Sequence, residues 1–174
     1  GNAKDESGNG HDGEVKGSVL IQDRHSTADS AYEFTSEGVS HISIPKSDTL
    51  RPQKMTLNAW VYLSQEGADE RFNILFKEES VQLAIDNTGK LQKVKNFVGL
   101  NTGGVGRWKN LEYMGRFPAG EWFMYTATYD GATMRQHLNS QEICSGRFTG
   151  AVFYENSHKY PFLIGSIQSS RGNL

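Results

Sequence analysis

Met55-Thr56-Leu57-Asn58-Ala59-Trp60-Val61-Tyr62-Leu63 decides the fold class. Met55, Leu57, Ala59, Val61 and Leu63 fall on one side of an extended chain and Thr56, Asn58, Trp60 and Tyr62 on the other, the period of two that marks a β-strand. Because the second side also carries aromatic residues, the strand reads as covered on both faces, which puts Trp60 in the core. Glu121 to Tyr129 repeats the pattern, with Phe123, Tyr125, Ala127 and Tyr129 opposite Trp122, Met124, Thr126 and Thr128. Trp122 is expected in the core for the same reason. This second strand runs into Asp130-Gly131, a hairpin signal, before Thr133 to Asn139.

Further strands follow on either side. In Ser40 to Pro45, Ile42 and Ile44 share a face, and Pro45 ends the run because it cannot donate to a ladder. Phe72 to Lys77, Ser80 to Ile85, Lys90 to Leu100 and Pro161 to Ser166 complete the set, with Asp86-Asn87-Thr88-Gly89 supplying turn chemistry between two of them. Turn signals recur roughly every ten residues with no helical pattern between them, which points to an antiparallel sandwich or barrel rather than βαβ units.

Composition agrees and excludes other classes. At 174 residues the chain is read as a single domain over 1–174. Leu, Ile, Val and Phe make up about 22% of it, just above the roughly 20% below which disorder is favoured. Twenty acids against eighteen bases, with 11% aromatic residues, describe a folded domain rather than a solvating tail. No apolar run approaches the roughly 20 residues that cross a bilayer, and the polar start, Gly1 to Gly13, is unlike a signal peptide. Lysine and arginine are scattered singly, so no basic stripe is available for nucleic acid. The single cysteine, Cys144, cannot form an internal disulfide and reads as a half-buried strand thiol.

Four stretches, taken in order, resemble one family: Asp5-Glu6-Ser7-Gly8-Asn9-Gly10-His11-Asp12-Gly13; Ser30-Ala31-Tyr32-Glu33-Phe34 leading to Ile42-Ser43-Ile44-Pro45; Met55 to Tyr62; and Gly120-Glu121-Trp122 through Thr128-Tyr129-Asp130-Gly131. The set is similar to laminin G-like domains of the concanavalin A-like lectin and glucanase superfamily, in the bacterial secreted style. The resemblance implies an all-β, two-sheet antiparallel jelly-roll sandwich and an extracellular or cell-surface binding or adhesion module, sometimes holding calcium. Two departures stand out. Gln136 occupies a position that is usually apolar, and Leu138-Asn139-Ser140 stands where an Asn-Gly turn is usual. Such domains also carry an apolar strand before the Asp5 loop and another after Ile164-Gly165-Ser166. Their absence suggests a piece of a larger secreted protein whose open sheet edges accept a strand from a partner or a second copy.

Glycanases of this superfamily set catalytic carboxylates at alternating positions of one strand. Glu66, Asp69, Glu70, Glu78, Glu79, Glu112 and Glu121 lack that spacing, so no enzyme activity is expected and a glycoside hydrolase is the least favoured reading. The five histidines show neither metal-helix spacing nor a nucleophile elbow. Oxygen atoms of Asp5, Asn9 and Asp12 could surround Ca²⁺, although the same groups also suit a self-hydrogen-bonded turn. Sugar binding needs an aromatic plate ringed by amide, carboxylate or guanidinium groups. Asn101, Arg107, Trp108, Asn110 and Tyr113, in a glycine-rich stretch read as a loop, supply that mixture, and Tyr154, His158 and Tyr160 form a second group. The alternative for Trp108 and Tyr113 is core or loop support. The expected function is therefore a non-catalytic carbohydrate-binding or adhesion module with a glycan or cell-surface protein as partner; the alternative is a structural or protein-interaction domain assembling through sheet edges.

Overall fold

A computed structural model describes residues 1–35, 39–64, 71–86, 95–101, 107–154 and 159–166. The strands are β1 (Glu14–Lys16), β2 (Val19–Ile21), β3 (Ala31–Glu33), β4 (His41–Ile44), β5 (Met55–Tyr62), β6 (Arg71–Lys77), β7 (Val81–Asp86), β8 (Lys95–Asn101), β9 (Trp108–Tyr113), β10 (Trp122–Tyr129), β11 (Thr133–Leu138), β12 (Gln141–Arg147) and β13 (Phe162–Ser166). They form a seven-stranded sheet, β1-β4-β13-β6-β7-β8-β9, a four-stranded sheet, β12-β11-β10-β5, and a two-stranded ribbon, β2-β3. All pairings are antiparallel. The two large sheets pack as the expected jelly-roll sandwich.

The inner face of the small sheet is set by β10. Phe123, Tyr125, Ala127 and Tyr129 are buried, and register pairs them with Val61, Ala59, Leu57 and Met55 of β5. They meet Val81, Leu83, Ile85, Leu100 and Leu111 from the large sheet, with Phe117 wedged against Phe123 and Tyr125. Each such side chain contributes about 1.5–3 kcal/mol by leaving water.

Alternation therefore holds, but the second face of β5 and β10 is not core. Trp60 and Tyr62 are 44% and 46% exposed, and Trp122 is half-buried beside Tyr62. The expectation that Trp60 and Trp122 lie inside is corrected: the large sheet packs against the opposite face of β5 and β10, so aromatic content on this side reports a surface.

Five strands, β1, β2, β3, β9 and β12, were not anticipated. Trp108 to Tyr113 is an edge strand rather than a loop. β12 follows β11 through Asn139 and Ser140, both left-handed with φ of 47° and 70°. This is the backbone of a tight hairpin turn, built without the glycine that usually announces one. The β2-β3 ribbon was likewise too short and too polar in its loop to read. The register that begins at Lys90 in the sequence reading is described only from Lys95, and positions 87–94 lie outside the described residues.

The sheets differ in width, and this positions the site. β9 touches β11 and β12, so the small sheet begins over that end of the large one and stops at β5. β13, β4 and β1 continue past it, and the β2-β3 ribbon lies beyond β5. Gly165 in β13, with φ of 72°, lies directly under the ring of Phe34, where any side chain would collide with it. Between ribbon and β5 a cleft of about 580 Å³ remains.

Candidate functional site

The outer face of the small sheet is a set of rows across four strands. Tyr62 lies opposite Trp122, Trp60 opposite Met124, Asn58 opposite Thr126 and Thr56 opposite Thr128. On the other side of β10, His137 follows Thr126 and Arg135 follows Thr128. Glu142 and Ser145 of β12 complete these rows. Aromatic groups thus occupy one end and hydrogen-bonding groups the rest, because the strands alternate and directly opposed residues share a face.

The geometry is ordered. Tyr62 and Trp122 are a tilted pair with ring centroids 5.7 Å apart. Arg24, from the loop between β2 and β3, places its guanidinium 4.3 Å from the centre of Trp60. Asn58 Nδ2 donates to Thr126 Oγ1 at 2.7 Å. Arg135 lies 2.9 Å from the carboxylate of Asp130 and 3.8 Å from that of Glu142, which also faces His137 at 4.0 Å. The hydrogen bond from Arg135 and those from the amides of Ala132 and Thr133 hold the Asp130 carboxyl down at about 2. Trp60, Tyr62, Trp122 and Arg24 line one and the same cleft, whose deeper wall is apolar and includes Val61, Phe72 and Ile164. A volume of this size, apolar with a few polar groups at its mouth, suits a small ligand or one residue of a polymer.

The residues singled out from sequence are dispersed. Asn101 is fully buried at the end of β8, where its amide donates to the Ser80 carbonyl and its own carbonyl accepts from Phe153. Along β9 the side chains alternate. Leu111 and Tyr113 turn inward, Tyr113 stacking on Phe117 at 6.0 Å, while Trp108 and Asn110 face the other side. Arg107 is exposed just before the strand and Trp108 is half-buried. Burial leaves Asn101 no surface to offer, and Tyr113 is engaged by the core. Of the second group, Tyr154 is buried with its hydroxyl on the Pro52 carbonyl, Tyr160 is half-buried, and His158 lies outside the described residues. The aromatic face was missed because period-two alternation cannot say which of two apolar-looking sides turns inward.

In the first loop, Asp5 accepts the amides of Ser7 and His11 at 2.8 and 2.9 Å, and its own amide donates to Asp12 at 2.7 Å. Ser7 Oγ accepts from the Asn9 side chain at 2.8 Å. These bonds to Ser7 and His11 lower the Asp5 carboxyl to about 2. Among the described residues no group of three or more His, Cys, Asp or Glu side chains could hold a metal. Cys144 sits half-buried in β12 with Sγ on the Glu112 carbonyl, and burial raises its thiol.

A comparison with curated protein sequences finds no match. Among solved structures, the fold is similar to domain 4 of AbnA, a GH43 extracellular arabinanase from Geobacillus stearothermophilus solved with arabinotriose. That match has a TM-score of 0.61 and 18% identity, covering 97% of this chain and 80% of that one. A putative carbohydrate binding protein from Bacteroides ovatus matches at 0.54 and 16%, over 90% of this chain and 37% of that one. The enzymatically active domain of tailspike protein 2 of bacteriophage CBA120 matches at 0.56 and 15%, over 90% and 25%. At these identities the likeness is one of fold. The profile of a laminin G family matches residues 36–173, and the chain belongs to the concanavalin A-like lectin/glucanases superfamily.

Proposed function

We propose that this domain is a non-catalytic carbohydrate-binding module of an extracellular protein, and that glycan lies on the outer face of the small sheet. The observation that carries the reading is the exposed aromatic set, Trp60, Tyr62 and Trp122, running into a ladder of amide, hydroxyl and charged groups on the same face. The apolar side of a sugar ring stacks on such rings while the ladder meets its hydroxyls. The fold shared with an arabinanase domain solved with arabinotriose, and with a putative carbohydrate binding protein, supports the same reading. Adhesion to a glycan-coated surface would use the same face.

A glycan array with the wild type, Trp60→Ala and Trp108→Ala tests it. Binding that Trp60→Ala loses and Trp108→Ala keeps is the expected result. Loss confined to Trp108→Ala moves the site to Trp108 and Asn110 on β9, and an empty array rejects the glycan reading.

The second reading, assembly through sheet edges, has its own observation. β5 is eight residues long, carries no charge, has no bulge, and pairs on one side only among the described residues. Natural edges are usually guarded against just this. Light scattering at high protein concentration reads it: oligomers that Val61→Lys dissolves would support edge pairing, and a monodisperse monomer would remove it.

Calcium at Asp5, Asn9 and Asp12 is a proposal with a competitor, since the amides that Asp5 already accepts make the loop self-sufficient. A melting temperature raised by millimolar Ca²⁺ and lowered by EDTA would establish the ion. No shift would leave the turn alone.

A further inference from the structure

We propose that Arg24 makes the aromatic cleft a reader of acidic sugars, binding a glycan through an anionic substituent held by the Arg24 guanidinium while the ring packs on Trp60, Tyr62 or Trp122. This rests on the carbohydrate-binding reading above and sharpens it to a ligand class.

Three features of the structure lead there. The first is the loop that carries Arg24. Asp23 Oδ1 accepts the amides of His25 and Thr27 at 2.8 and 3.0 Å, the Asp23 amide donates to the Thr27 carbonyl at 3.0 Å, and the Ser30 amide closes on the Ile21 carbonyl at 2.9 Å. Ser26 and Asp29 take left-handed conformations to complete it, with φ of 63° and 54°. A loop bound to itself in this way presents its side chain from a fixed base, so Arg24 is placed rather than left to wander.

The second is how the guanidinium is used. The guanidinium carbon sits over the Trp60 ring, 4.3 Å from its centre, a contact with the ring face that uses none of the N–H donors in a hydrogen bond. That planar fork matches a carboxylate, and it also suits a sulfate. A neutral sugar would meet it with single hydroxyls and leave most of its donors to water.

The third is its charge balance. The neighbouring carboxylate, Asp23, is taken by backbone amides, which lower its pKa. Among the described residues no carboxylate pairs with Arg24, whereas Arg135 on the same sheet is held by Asp130 and Glu142. Arg24 is exposed and lines the cleft with the three aromatic residues. Glu33 also lines the cleft, has no ion-pair partner among the described residues, and stands ready to accept a sugar hydroxyl. It disfavours anions on its own wall, so the anionic group belongs on the Arg24 side.

The test compares polygalacturonate with its methyl-esterified, neutral form, and a sulfated galactan with its desulfated form, by calorimetry at low and high salt. The wild type is expected to prefer the charged member of at least one pair, the two pairs separating carboxylate from sulfate, and the preference should shrink with salt. Arg24→Gln should weaken charged-glycan binding about tenfold or more, carrying the charged-to-neutral ratio towards one. Arg24→Lys should retain part of the preference. Glu33→Gln should strengthen charged-glycan binding and leave neutral binding little changed. Trp60→Ala should abolish binding of both forms. Equal binding of charged and neutral forms, or a preference that survives Arg24→Gln, overturns the inference while the carbohydrate reading stands. Failure to bind any glycan overturns both.

Discussion

The buried hydroxyl of Tyr125 donates to Gln136 Oε1 at 2.6 Å, and Gln136 in turn donates through Nε2 to the Leu111 carbonyl at 2.5 Å. Gln136 is fully buried on the inner face of β11, at a position where a family resemblance leads one to expect an apolar side chain. The amide is tolerated because both of its ends are satisfied, and it links β10, β11 and the edge strand β9 across the sandwich. Gln136→Leu is therefore expected to destabilise the fold by about 2–4 kcal/mol, since it strands both a hydroxyl and a carbonyl. Tyr125→Phe should cost less, and the double variant less than the sum, because removing the hydroxyl relieves one stranded group. Urea unfolding of the three variants reads this directly.

Exposure separates the two aromatic faces of β10 and β5. Trp60→Ala should change stability by less than about 1 kcal/mol while reducing glycan affinity about tenfold or more. Phe123→Ala, one position along from Trp122 but fully buried, should cost about 3–5 kcal/mol. Paired thermal melts and binding isotherms distinguish the surface from the core.

Acid should unfold the protein through its turn carboxylates. Asp5 and Asp130 sit near 2 because hydrogen bonds to Ser7 and His11, and to Arg135 and the Ala132 and Thr133 amides, favour the charged form. A carboxyl depressed on folding stabilises above its unfolded value of about 3.9, and that stability is lost as pH falls through the folded value. Melting temperature should hold from neutral pH to about 5 on this account and drop between about 4 and 2, with a smaller acid-induced drop in Asp130→Asn.

Lys77 extends the same dependence, stability rising with pH, into the alkaline range. It is almost fully buried, donates to the Tyr160 carbonyl at 3.2 Å and lies 4.4 Å from the ring centre of Phe162. Burial, aided by the charge of Arg51, lowers it to about 8. Because the unfolded lysine stays protonated to about 10.4, the unfolded state binds more protons in between, and stability should rise from pH 8 towards 10. Above that, the buried tyrosines Tyr125 and Tyr154, raised by burial, reverse the trend. Lys77→Met should remove the rise between pH 8 and 10, as read by chemical denaturation at each pH.

Some of this was legible in the residues and some was not. Strands β4, β5, β6, β7, β10, β11 and β13 could be read because alternation or compact apolar runs ended at recognisable turns, as Ile44 does at Pro45 and Tyr129 at Asp130-Gly131. β12 escaped because its turn is made by Asn139 and Ser140 rather than by glycine. β9 was taken for a loop since Trp108 to Tyr113 mixes exposed polar residues with one buried leucine, the signature of an edge strand with a single covered face. The candidate binding residues were chosen with it. Trp108 stood out in a glycine-rich context, whereas Trp60 and Trp122 stood in strong strands and were assigned to the interior.

The sequence by itself determined that this chain is an antiparallel sandwich, because a period of two is a local property of the extended backbone and the two longest strands, β5 and β10, carry it in their own residues. It also determined that Thr56, Asn58, Trp60 and Tyr62 share one side. Which side faces water was decided only by the tertiary structure. Burial of a strand face depends on what is stacked against it, and the large sheet covers the face of Val61 and Phe123 while Trp60, on the opposite face, stays 44% exposed. The placement of Arg24 on Trp60, thirty-six residues along the chain, belongs to that same level, since only the folded ribbon brings the two together.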